Sequence, residues 1–506
     1  MPAHTVEGDK FDQVDLDHLT PEQREQVKTV FRKHSKVFDN KPGCCNVVEH
    51  QIKLVEGFQP KSLKVYRIPD KLKTEINRQI DELLKDGKIR PSNSPFAHPI
   101  VCVAKKGNAM DIRLCCDFRY VNSGTITDAY PMPRIDDLLR KISNSKFIST
   151  LDATAGYWQL KMSPDDIYKT AFITDRGLFE WLVMPFGLKC SGNTFMRAAN
   201  IILRPHTEYA GAYIDDTAVC SLEWEYHLTH LDNVLTSFEN AGMTLKLTKC
   251  TFGKPFVEFV GHLVGSGTMS VIQSKVEAIR LLPEPTTKKL LRSFLGMCGW
   301  YKTYIPRYSE IALTLTDMTK TKMPATFVFD ANQRRAFQAL KESLCNSRTL
   351  ATPKYDREFH IYCDASELAV GCCLAQVDDK GEERPIAFAS KKLTDTETRW
   401  ACIEREAFSV IFALQKFDVI IFGSKIILFT DHNPLKFLVN GAPKSAKLTR
   451  WSLSLQRYDI EVKHIAGVDN KVAAFANCSQ IEKNDIIVST VLRTLETDSL
   501  RGFSLL

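Results

Sequence analysis

Two adjacent acidic residues interrupt a segment that otherwise favours β-strand. In GAYIDDTAV, Tyr213 and Ile214 precede Asp215 and Asp216, and Val219 lies beyond them. Aspartate is depleted in strands and favoured in turns, so the segment predicts a hairpin with AYIDD and TAVCS as its arms and the acids at its tight turn. The local sequence leaves two interpretations open: an ordinary turn, or a turn that presents two carboxylates to a metal ion.

The chain is too long for a single hydrophobic core. Its 506 residues are enough for three or four domains, and 44% of them are hydrophobic, so most of the chain is expected to fold. The formal net charge of +7 suggests an anionic partner, although a solvated basic surface would give the same balance. Charge therefore makes nucleic acid a candidate partner and no more.

Cysteine usage and the N-terminus indicate an intracellular, reducing location. The fifteen cysteines include three adjacent pairs but no C-x-x-C spacing and no zinc-binding Cys/His cluster. The first residues are acidic and lack the apolar stretch of a secretory signal. Charged residues interrupt the most apolar segment, FSVIFALQKFDVIIF. We therefore expect a protein that is neither secreted nor bound to a membrane.

Hydrophobic periodicity divides the chain into a mixed first part and an α/β second part. Residues 18–35 predict a helix capped by Thr20, and residues 71–87 predict an amphipathic helix. The strands predicted next include KFISTLD, which ends on Asp152, and TLKLTKCTF and VEFVGHLVG. From Glu358 onward, strands and helices alternate as in a separate α/β unit.

Together with Asp152, the two acids of the hairpin are candidate ligands for divalent metal ions. Phosphoryl transfer to a 3′-hydroxyl requires two divalent ions about 3.5–4 Å apart, and Mg²⁺ prefers oxygen ligands. Three carboxylates from two adjacent strands would meet this need. The alternative is a plain turn at Asp215 and Asp216 and a helix cap at Asp152, and each alternative is favoured when its residues are considered alone.

Several long motifs, in order, decide between these alternatives. YIDD is preceded by IDELLKDGKIRPSNSPFAHPIVCVAKK, IRLCCDFRYVN, TDAYPMPRIDDLL, LDATAGYWQLKM and MPFGLKCSGNTF, and is followed by FVGHLVG and LLRSFLGMCGWYKTYI. Over residues 19–477 the chain resembles the reverse transcriptases of gypsy-type LTR retrotransposons, with retroviral polymerases as more distant relatives. The resemblance implies a multidomain α+β fold: a right-hand polymerase with fingers, palm and thumb, followed by an α/β RNase H-like domain.

The resemblance also implies the residues of a polymerase site. Those that match the metal ligands of the palm, with two Mg²⁺ ions and Mn²⁺ as a substitute, are Asp152, Asp215 and Asp216. Those that match contacts with the incoming dNTP are Lys106, Arg113, Tyr157, Phe186 and Gly187. Those that match the grip on the primer backbone are Phe259, Val260, Gly261 and His262.

Some of these residues have an ordinary structural alternative. Arginine suits a triphosphate because its planar fork donates hydrogen bonds in pairs. Tyr157 matches the aromatic residue that blocks a ribose 2′-hydroxyl, but a core tyrosine would look the same in sequence. Lys105 and Lys106 also fit a solvated hairpin tip, and for Lys105 we prefer that interpretation.

Two departures from the family pattern lie near the nucleotide contacts. Cys190, Ser191 and Gly192 stand where the family has N-A-P or N-A-G, and Ile112 stands where it has tryptophan. Neither change removes a metal ligand. Because catalytic geometry is sensitive to small displacements, these departures are compatible with reduced activity.

The C-terminal unit resembles the RNase H domain that follows the polymerase in these elements and hydrolyses the RNA strand of an RNA–DNA hybrid. The matching motifs are YCDASELAVGCCLAQ, EREAFSVIFAL, FTDHNPL and HIAGVDN. Such sites hold two Mg²⁺ ions with four carboxylates. Three of the four are matched by Asp364, Glu406 and Asp431. Glu406 fits better than Glu404 because it directly precedes the apolar A-F-S-V-I run.

The fourth carboxylate of the RNase H-like site is missing from the sequence. The family pattern G-x-x-N-x-V-A-D-A-L is matched by GVDNKVAAFAN, which places Ala474 at the position of the aspartate. Asp469 lies five residues earlier and is not expected to reach the site. The sequence therefore predicts weak or absent cleavage of hybrids.

Together these matches predict an RNA-directed DNA polymerase that uses an RNA or DNA template, a DNA primer and dNTPs, and that also binds RNA–DNA hybrid. We expect it in the cytoplasm, within a virus-like particle, or in the nucleus, and its oligomeric state is left open. The predicted domains are a leader, the fingers and palm, a thumb and connection, the RNase H-like domain and an unassigned tail, over residues 1–58, 59–264, 265–355, 356–482 and 483–506.

Two other hypotheses remain open at this stage. Ala474 and Cys190 are compatible with a catalytically decayed remnant that still binds nucleic acid, and a hybrid nuclease without polymerase function is a third reading. No protease signature precedes the polymerase motifs and no integrase motif follows them, so we expect a fragment of a polyprotein, or a decayed or separately translated copy. No proofreading motif is visible, and low fidelity is expected.

Overall fold

The computed structural model describes residues 10–105, 108–430 and 446–465, except for the side chains of residues 104–111. Lys106, Asp431, Asp469 and Ala474, which the sequence singles out, lie outside the described residues. Contacts divide the chain into two units, the first ending at Val260 and the second beginning at Gly261.

The first unit combines helices with short strands. Its helices are α1 (Pro21–Lys33), α2 (Asp70–Lys85), α3 (Arg119–Gly124), α4 (Ile135–Ser143), α5 (Ser191–Leu203) and α6 (Trp224–Asn240). Its strands are β1 (Cys45–His50), β2 (Ile89–Pro91), β3 (His98–Lys105), β4 (Asn108–Cys116), β5 (Phe147–Asp152), β6 (Leu160–Met162), β7 (Phe172–Thr174), β8 (Gly177–Trp181), β9 (Ala210–Tyr213), β10 (Asp216–Ser221), β11 (Thr251–Lys254) and β12 (Val257–Phe259).

Local sequence explains where the first two helices begin and end. Helix α1 starts with a capping box, in which the Thr20 hydroxyl accepts from the Gln23 backbone and the Gln23 side chain accepts from the Thr20 backbone. Helix α2 buries Ile76 and Ile80 on one face and is followed by Gly87 at a φ of 62°, a conformation that glycine adopts without strain. Both helices were predicted from these signals and both are present.

Two sheets organise the first unit. One is antiparallel with the order β11-β5-β10-β9, and α5 and α6 pack against it. The other has the order β2-β8-β7-β3-β4 and contacts α2. The core they share includes Phe31, Phe172 and Phe252, each with no exposed surface. This burial fixes the backbone of β5 and β10, the strands that carry the predicted metal ligands.

The second unit begins with an antiparallel pair of strands, continues through a helical region and ends in an α/β sheet. Its helices are α7 (Gln273–Arg280), α8 (Lys288–Trp300), α9 (Tyr308–Ile311), α10 (Leu313–Met318), α11 (Ala331–Cys345), α12 (Cys402–Ile421) and α13 (Ala446–Leu455). Its strands are β13 (His262–Gly265), β14 (Thr268–Val271), β15 (Leu350–Ala351), β16 (Phe359–Ala365), β17 (Ala369–Val377), β18 (Glu383–Lys392), β19 (Lys425–Thr430) and β20 (Asp459–His464).

The five-stranded sheet of the second unit is buried on both faces. Its order is β18-β17-β16-β19-β20. Strand β17 is antiparallel to both β18 and β16, whereas β19 is parallel to both β16 and β20. One face packs on α12 through residues such as Ile361 and Leu374. The other face packs on the helical region through Tyr362, Cys373 and Phe388. The helical region is therefore held firmly against this sheet.

One predicted strand is interrupted in the structure. VEFVGHLVG was expected to be continuous, but β12 ends at Phe259 and β13 begins at His262. Val260 and Gly261 between them have positive φ angles of 44° and 80°, which an extended strand does not permit. Across the described ranges, no helix is long and apolar enough to cross a lipid bilayer.

Candidate active site

The acidic hairpin turns one residue earlier than the sequence predicts. Ile214 and Asp215 form the two-residue loop, and Asp216 is already the first residue of β10, paired with Tyr213 of β9. Ile214 has a φ of 56°, which is unfavourable for a β-branched residue, and its backbone N–H lies 2.8 Å from the Met196 sulfur. A positive φ at the first loop residue alone is the pattern of a type II′ turn. The tight turn therefore leaves Asp215 at its tip and Asp216 on the strand.

Strand pairing brings Asp216 beside Asp152. Strands β10 and β5 are antiparallel, and their register sets Asp216 directly opposite Asp152, the last residue of β5. Side chains of directly opposed residues lie on the same face, with Cβ atoms about 4.5–5.5 Å apart. The backbone carbonyl of Asp152 also accepts a hydrogen bond of 2.8 Å from Lys246 N–H. Residues more than sixty positions apart in sequence thus form one acidic edge.

A lysine that sequence reasoning did not single out contacts this edge. The Lys249 ammonium lies 3.1 and 3.3 Å from the two carboxylate oxygens of Asp152. Lys249 belongs to a single 3₁₀ turn, Leu247–Lys249, directly before β11. The sequence predicts a strand over residues 244–252, in which such a turn is not expected. The ammonium is a counter-charge for one of the three carboxylates.

The electrostatics of the three aspartates fit a divalent cation. Burial of the Asp216 carboxyl group, together with the negative charges of Asp215 and Asp152, raises its pKa to about 6, although the residue as a whole is exposed and Lys249 opposes the rise. Excess negative charge of this kind is relieved by a cation, and carboxylate oxygens are the ligands that Mg²⁺ prefers. Among the described residues, no three His, Cys, Asp or Glu side chains already enclose a metal-sized site. The donor chemistry fits, while binding requires the side chains to draw together.

Two aromatic residues predicted to contact the dNTP lie beside the acidic edge. Tyr157 contacts Phe186 in a T-shaped arrangement with ring centroids 5.1 Å apart, and it contacts Phe195 at 5.7 Å. Burial, and secondly the charge of Asp215, raises the pKa of Tyr157. Phe186 is 51% exposed. Tyr157 therefore contacts Phe186 and lies near Asp215.

Asn122 holds the turn that carries Phe186 and Gly187. Its side-chain amide donates to the Gly187 carbonyl at 2.8 Å, and its side-chain oxygen accepts from the Lys189 N–H at 2.9 Å. Gly187 has a φ of 96°, where a side chain would be strained. Asn122 lies in the motif IRLCCDFRYVN, but nothing in that motif indicates a contact sixty-five residues away.

The departures from the family pattern have local explanations. Cys190 is buried, and its sulfur accepts from Asp128 N–H at 3.4 Å and donates to the Ile126 carbonyl at 3.6 Å. The thiol thus links the start of α5 to the 126–128 loop. Ile112 is 2% exposed, and its carbonyl accepts from Gln79, so the position belongs to the core.

Arg113 follows Ile112 on β4, opposite Val103 of β3, and its side chain is exposed. Lys106, its predicted companion on the triphosphate, lies outside the described residues. An exposed guanidinium at this position is available to an anionic ligand. Its role in dNTP binding stays a prediction.

The four residues predicted to grip the primer lie around the strand interruption. In the first unit, Phe259 is buried at the end of β12 and Val260 follows with its positive φ. In the second unit, the Gly261 carbonyl accepts from the Tyr301 hydroxyl at 2.9 Å. The His262 ring is buried, with Nδ1 2.9 Å from the Tyr304 hydroxyl. The grip on a primer stays a prediction.

The RNase H-like residues lie on facing elements of the second unit. Asp364 is near the end of β16, and Glu406 is buried on α12, which packs against β16. Burial raises the pKa of the Cys363 thiol, and the charges of Glu406 and Asp364 are among the further causes, so both carboxylates lie near this residue. Glu404 instead pairs with Lys447 at 3.4 Å.

Comparison with protein families identifies two domains. Residues 103–264 match the model described as reverse transcriptase (RNA-dependent DNA polymerase). Residues 354–458 match the model described as the RNase H-like domain found in reverse transcriptase. The two matches contain, respectively, the acidic hairpin with Asp152 and the pair Asp364 and Glu406.

Curated relatives are polyproteins of transposons. The retrovirus-related Pol polyprotein from transposon opus of Drosophila melanogaster is 39% identical over 430 residues, which cover 82% of this chain and 43% of that protein. The retrovirus-related Pol polyprotein from transposon gypsy of the same organism is 35% identical over 416 residues, covering 79% of this chain and 40% of that protein. The chain thus spans less than half the length of these relatives.

Solved structures share the fold at low identity. The foamy viral protease-reverse transcriptase in complex with double-stranded DNA has a TM-score of 0.78 and 21% identity, covering 90% of this chain and 80% of that chain. The foamy viral protease-reverse transcriptase in complex with an RNA/DNA hybrid has a TM-score of 0.73 and 21% identity, covering 94% of this chain and 64% of that chain. The predicted fold class, a right-hand polymerase followed by an RNase H-like domain, is confirmed.

Proposed function

Because this chain carries the reverse transcriptase and RNase H-like domains of gypsy-type retrotransposon Pol polyproteins, we propose that it is an RNA-directed DNA polymerase. It extends the 3′-hydroxyl of a DNA primer with dNTPs on an RNA or DNA template. The observation that carries this proposal is the register of β5 and β10, which sets Asp216 opposite Asp152 with Asp215 in the adjoining turn.

In this proposal Asp152, Asp215 and Asp216 hold two Mg²⁺ ions, with Mn²⁺ as a substitute. The ions would activate the attacking hydroxyl and offset the charge of the leaving pyrophosphate. Lys249 would compete with these ions for the negative charge of Asp152, because its ammonium lies 3.1 and 3.3 Å from the two carboxylate oxygens.

The remaining residues bind and orient the nucleotide. The exposed Arg113 side chain donates to the triphosphate, together with Lys106. Tyr157 and Phe186 form the wall against which the sugar and base rest, and the bulk of Tyr157 excludes a 2′-hydroxyl. Since positioning alone accounts for much of phosphoryl-transfer catalysis, the rigidity of this wall matters as much as the charges.

The nucleic-acid partners are an RNA or DNA template, its primer and RNA–DNA hybrid. Support comes from the net charge of +7 and from the viral neighbours, whose complexes contain double-stranded DNA or hybrid. Asp364 and Glu406, with Asp431, would hold the Mg²⁺ ions that hydrolysis of the RNA strand requires, and this cleavage would be weak because Ala474 replaces the fourth carboxylate. We place the protein in the cytoplasm, within virus-like particles, or in the nucleus.

Primer extension on an RNA template with Mg²⁺ tests the polymerase assignment. Asp215→Asn and Asp216→Asn should each reduce extension by at least about 100-fold, since each removes a charged metal ligand. Asp86→Asn, at an exposed position after α2, is the matched control and should extend like wild type. Equal extension by wild type and both variants would refute polymerase catalysis. Tight primer–template binding without extension by wild type would favour the decayed remnant instead.

A further inference from the structure

A narrow pocket lies beside Asp364 in the second unit. Its walls come from the sheet, through Asp364, Ser366 and Ser390, and from the preceding helical region, through Arg307 and Glu310. The walls are too close together to admit a water molecule, so a ligand would meet these groups at the mouth of the pocket. The Arg307 side chain is 34% exposed there. A cation from outside the RNase H-like sheet thus lines the pocket of its predicted carboxylate.

Hydrogen bonds between two serines fix Arg307 relative to the sheet. Ser309, two residues after Arg307, donates from its backbone N–H to the Ser390 hydroxyl at 2.8 Å. Its hydroxyl donates to the Ser390 carbonyl at 3.0 Å, and the Ser390 hydroxyl donates back to it at 3.0 Å. Ser390 lies on β18, so the segment that carries Arg307 is docked on the sheet edge by three contacts.

Among the described residues, the guanidinium of Arg307 is paired along one edge only. Its Nε and Nη2 donate to the two carboxylate oxygens of Glu310 at 2.6 and 2.9 Å. A guanidinium has five N–H donors, so the pair with Glu310 occupies one edge and leaves the Nη1 edge for another acceptor. That second edge has the bidentate geometry that suits a phosphate.

The backbone of Arg307 is also unusual. Its φ of 52° and ψ of 29° place it in the left-handed region, where asparagine or glycine is less costly than arginine. Such a conformation persists only where the surrounding structure holds it. Here the conformation begins α9 and directs the chain so that Ser309 reaches Ser390.

We propose that Arg307 binds a backbone phosphate of an RNA–DNA hybrid at the RNase H-like site. This inference rests on the proposed function, because the hybrid is the ligand assigned there to Asp364 and Glu406. A phosphodiester placed beside two carboxylates is repelled by them, and a pre-oriented guanidinium at the same pocket offsets that repulsion. Glu310 acts as a positioning residue that holds the guanidinium in its binding orientation.

Equilibrium binding of the full chain to a labelled RNA–DNA hybrid, measured by fluorescence anisotropy over a series of salt concentrations, tests the proposal. Arg307→Asn removes the guanidinium and substitutes a residue that tolerates the left-handed conformation, so folding should be preserved. Arg280→Asn is the matched control, because Arg280 forms the same two-bond pair with Glu277 at 2.8 and 2.6 Å but is not part of this pocket.

Arg307→Asn should weaken hybrid binding by about tenfold and make the slope of log affinity against log salt shallower by about 0.9, the value for one lost phosphate contact. Arg307→Lys should restore the slope and only part of the affinity, since the charge returns without the fork. Arg280→Asn should match wild type in hybrid affinity and in salt slope. A wild-type slope for Arg307→Asn would overturn the inference. Failure of wild type to bind the hybrid would instead overturn the proposed function beneath it.

Discussion

Asp216→Asn should make the metal-free protein more stable while it reduces primer extension by at least about 100-fold. The pKa of Asp216 rises from its ordinary value of 3.8 to about 6, because burial and then the charges of Asp215 and Asp152 disfavour its ionised form. A rise of this size corresponds to about 3 kcal/mol at neutral pH. We discount it to about 1–1.5 kcal/mol, because the side chain is partly exposed and solvent screens its neighbours.

The sign of the pH dependence follows from the direction of the shift. Between pH 4 and pH 6 the folded state binds a proton at Asp216 that the unfolded state has released, so the stability of wild type falls as the pH rises through this window. Above about pH 6 the loss is complete and constant, and below about pH 4 it is absent. Asparagine does not ionise, so the stability of the variant should not fall in this way at any pH in the range.

Thermal unfolding in EDTA, followed by circular dichroism, measures the difference in stability between Asp216→Asn and wild type. At pH 8 the first unfolding transition of Asp216→Asn should lie about 2–4 °C above that of wild type, and the two should converge near pH 4. Adding Mg²⁺ should raise the transition of wild type and leave the variant nearly unchanged, because a ligand stabilises only the state that binds it. Asp86→Asn controls for loss of a surface charge. A variant no more stable than wild type at pH 8 would refute the electrostatic reasoning.

Three further predictions concern neighbouring parts of the two sites. Lys249→Met removes the ammonium beside Asp152 and should tighten Mn²⁺ binding about two- to fivefold in a titration followed by electron paramagnetic resonance; unchanged or weaker binding would contradict this. Asn122→Ala removes both hydrogen bonds that hold the Gly187 turn. In steady-state extension the KM for dNTP should rise about tenfold, with a smaller fall in kcat. A fall in kcat as large as the rise in KM would indicate general unfolding. Ala474→Asp should increase cleavage of a labelled hybrid at least about tenfold, and further change of Asp364 to Asn should abolish the gain; no increase would mean that the missing carboxylate is not the limiting defect.

The local signals in the sequence predicted the helices well. Thr20 and Gln23 form the capping box at the start of α1, and α2 buries the apolar face that its periodicity indicates. These features depend on residues three or four positions apart, which sequence shows directly. The family resemblance supplied what local signals could not, namely that Asp152 belongs with the acids of the hairpin.

Features that depend on distant contacts or on strain were not predictable. Lys249 and Asp152 are 97 residues apart, and Asn122 and Gly187 are 65 apart, so neither contact has a signature in one sequence. The turn was placed one residue late because an isoleucine at a φ of 56° contradicts its own propensity. The strand prediction over 257–265 failed for the same reason, since Val260 also adopts a positive φ.

The backbone strain at Ile214 and the gathered negative charge at the hairpin have one common cause. Ile214 adopts an unfavourable φ in a loop of only two residues, and this short loop keeps Asp215 beside Asp216. The pairing of β10 with β5 in turn sets Asp216 opposite Asp152. A longer, relaxed loop would remove the backbone strain and would also let Asp215 move away from Asp216, which would remove one of the charges that raise the pKa of Asp216. Both costs therefore arise from a single requirement, the gathering of negative charge, and both would be offset by the same divalent cations. The turn and the predicted metal site are therefore compatible interpretations, because the turn holds Asp215 beside Asp216 and strand pairing adds Asp152.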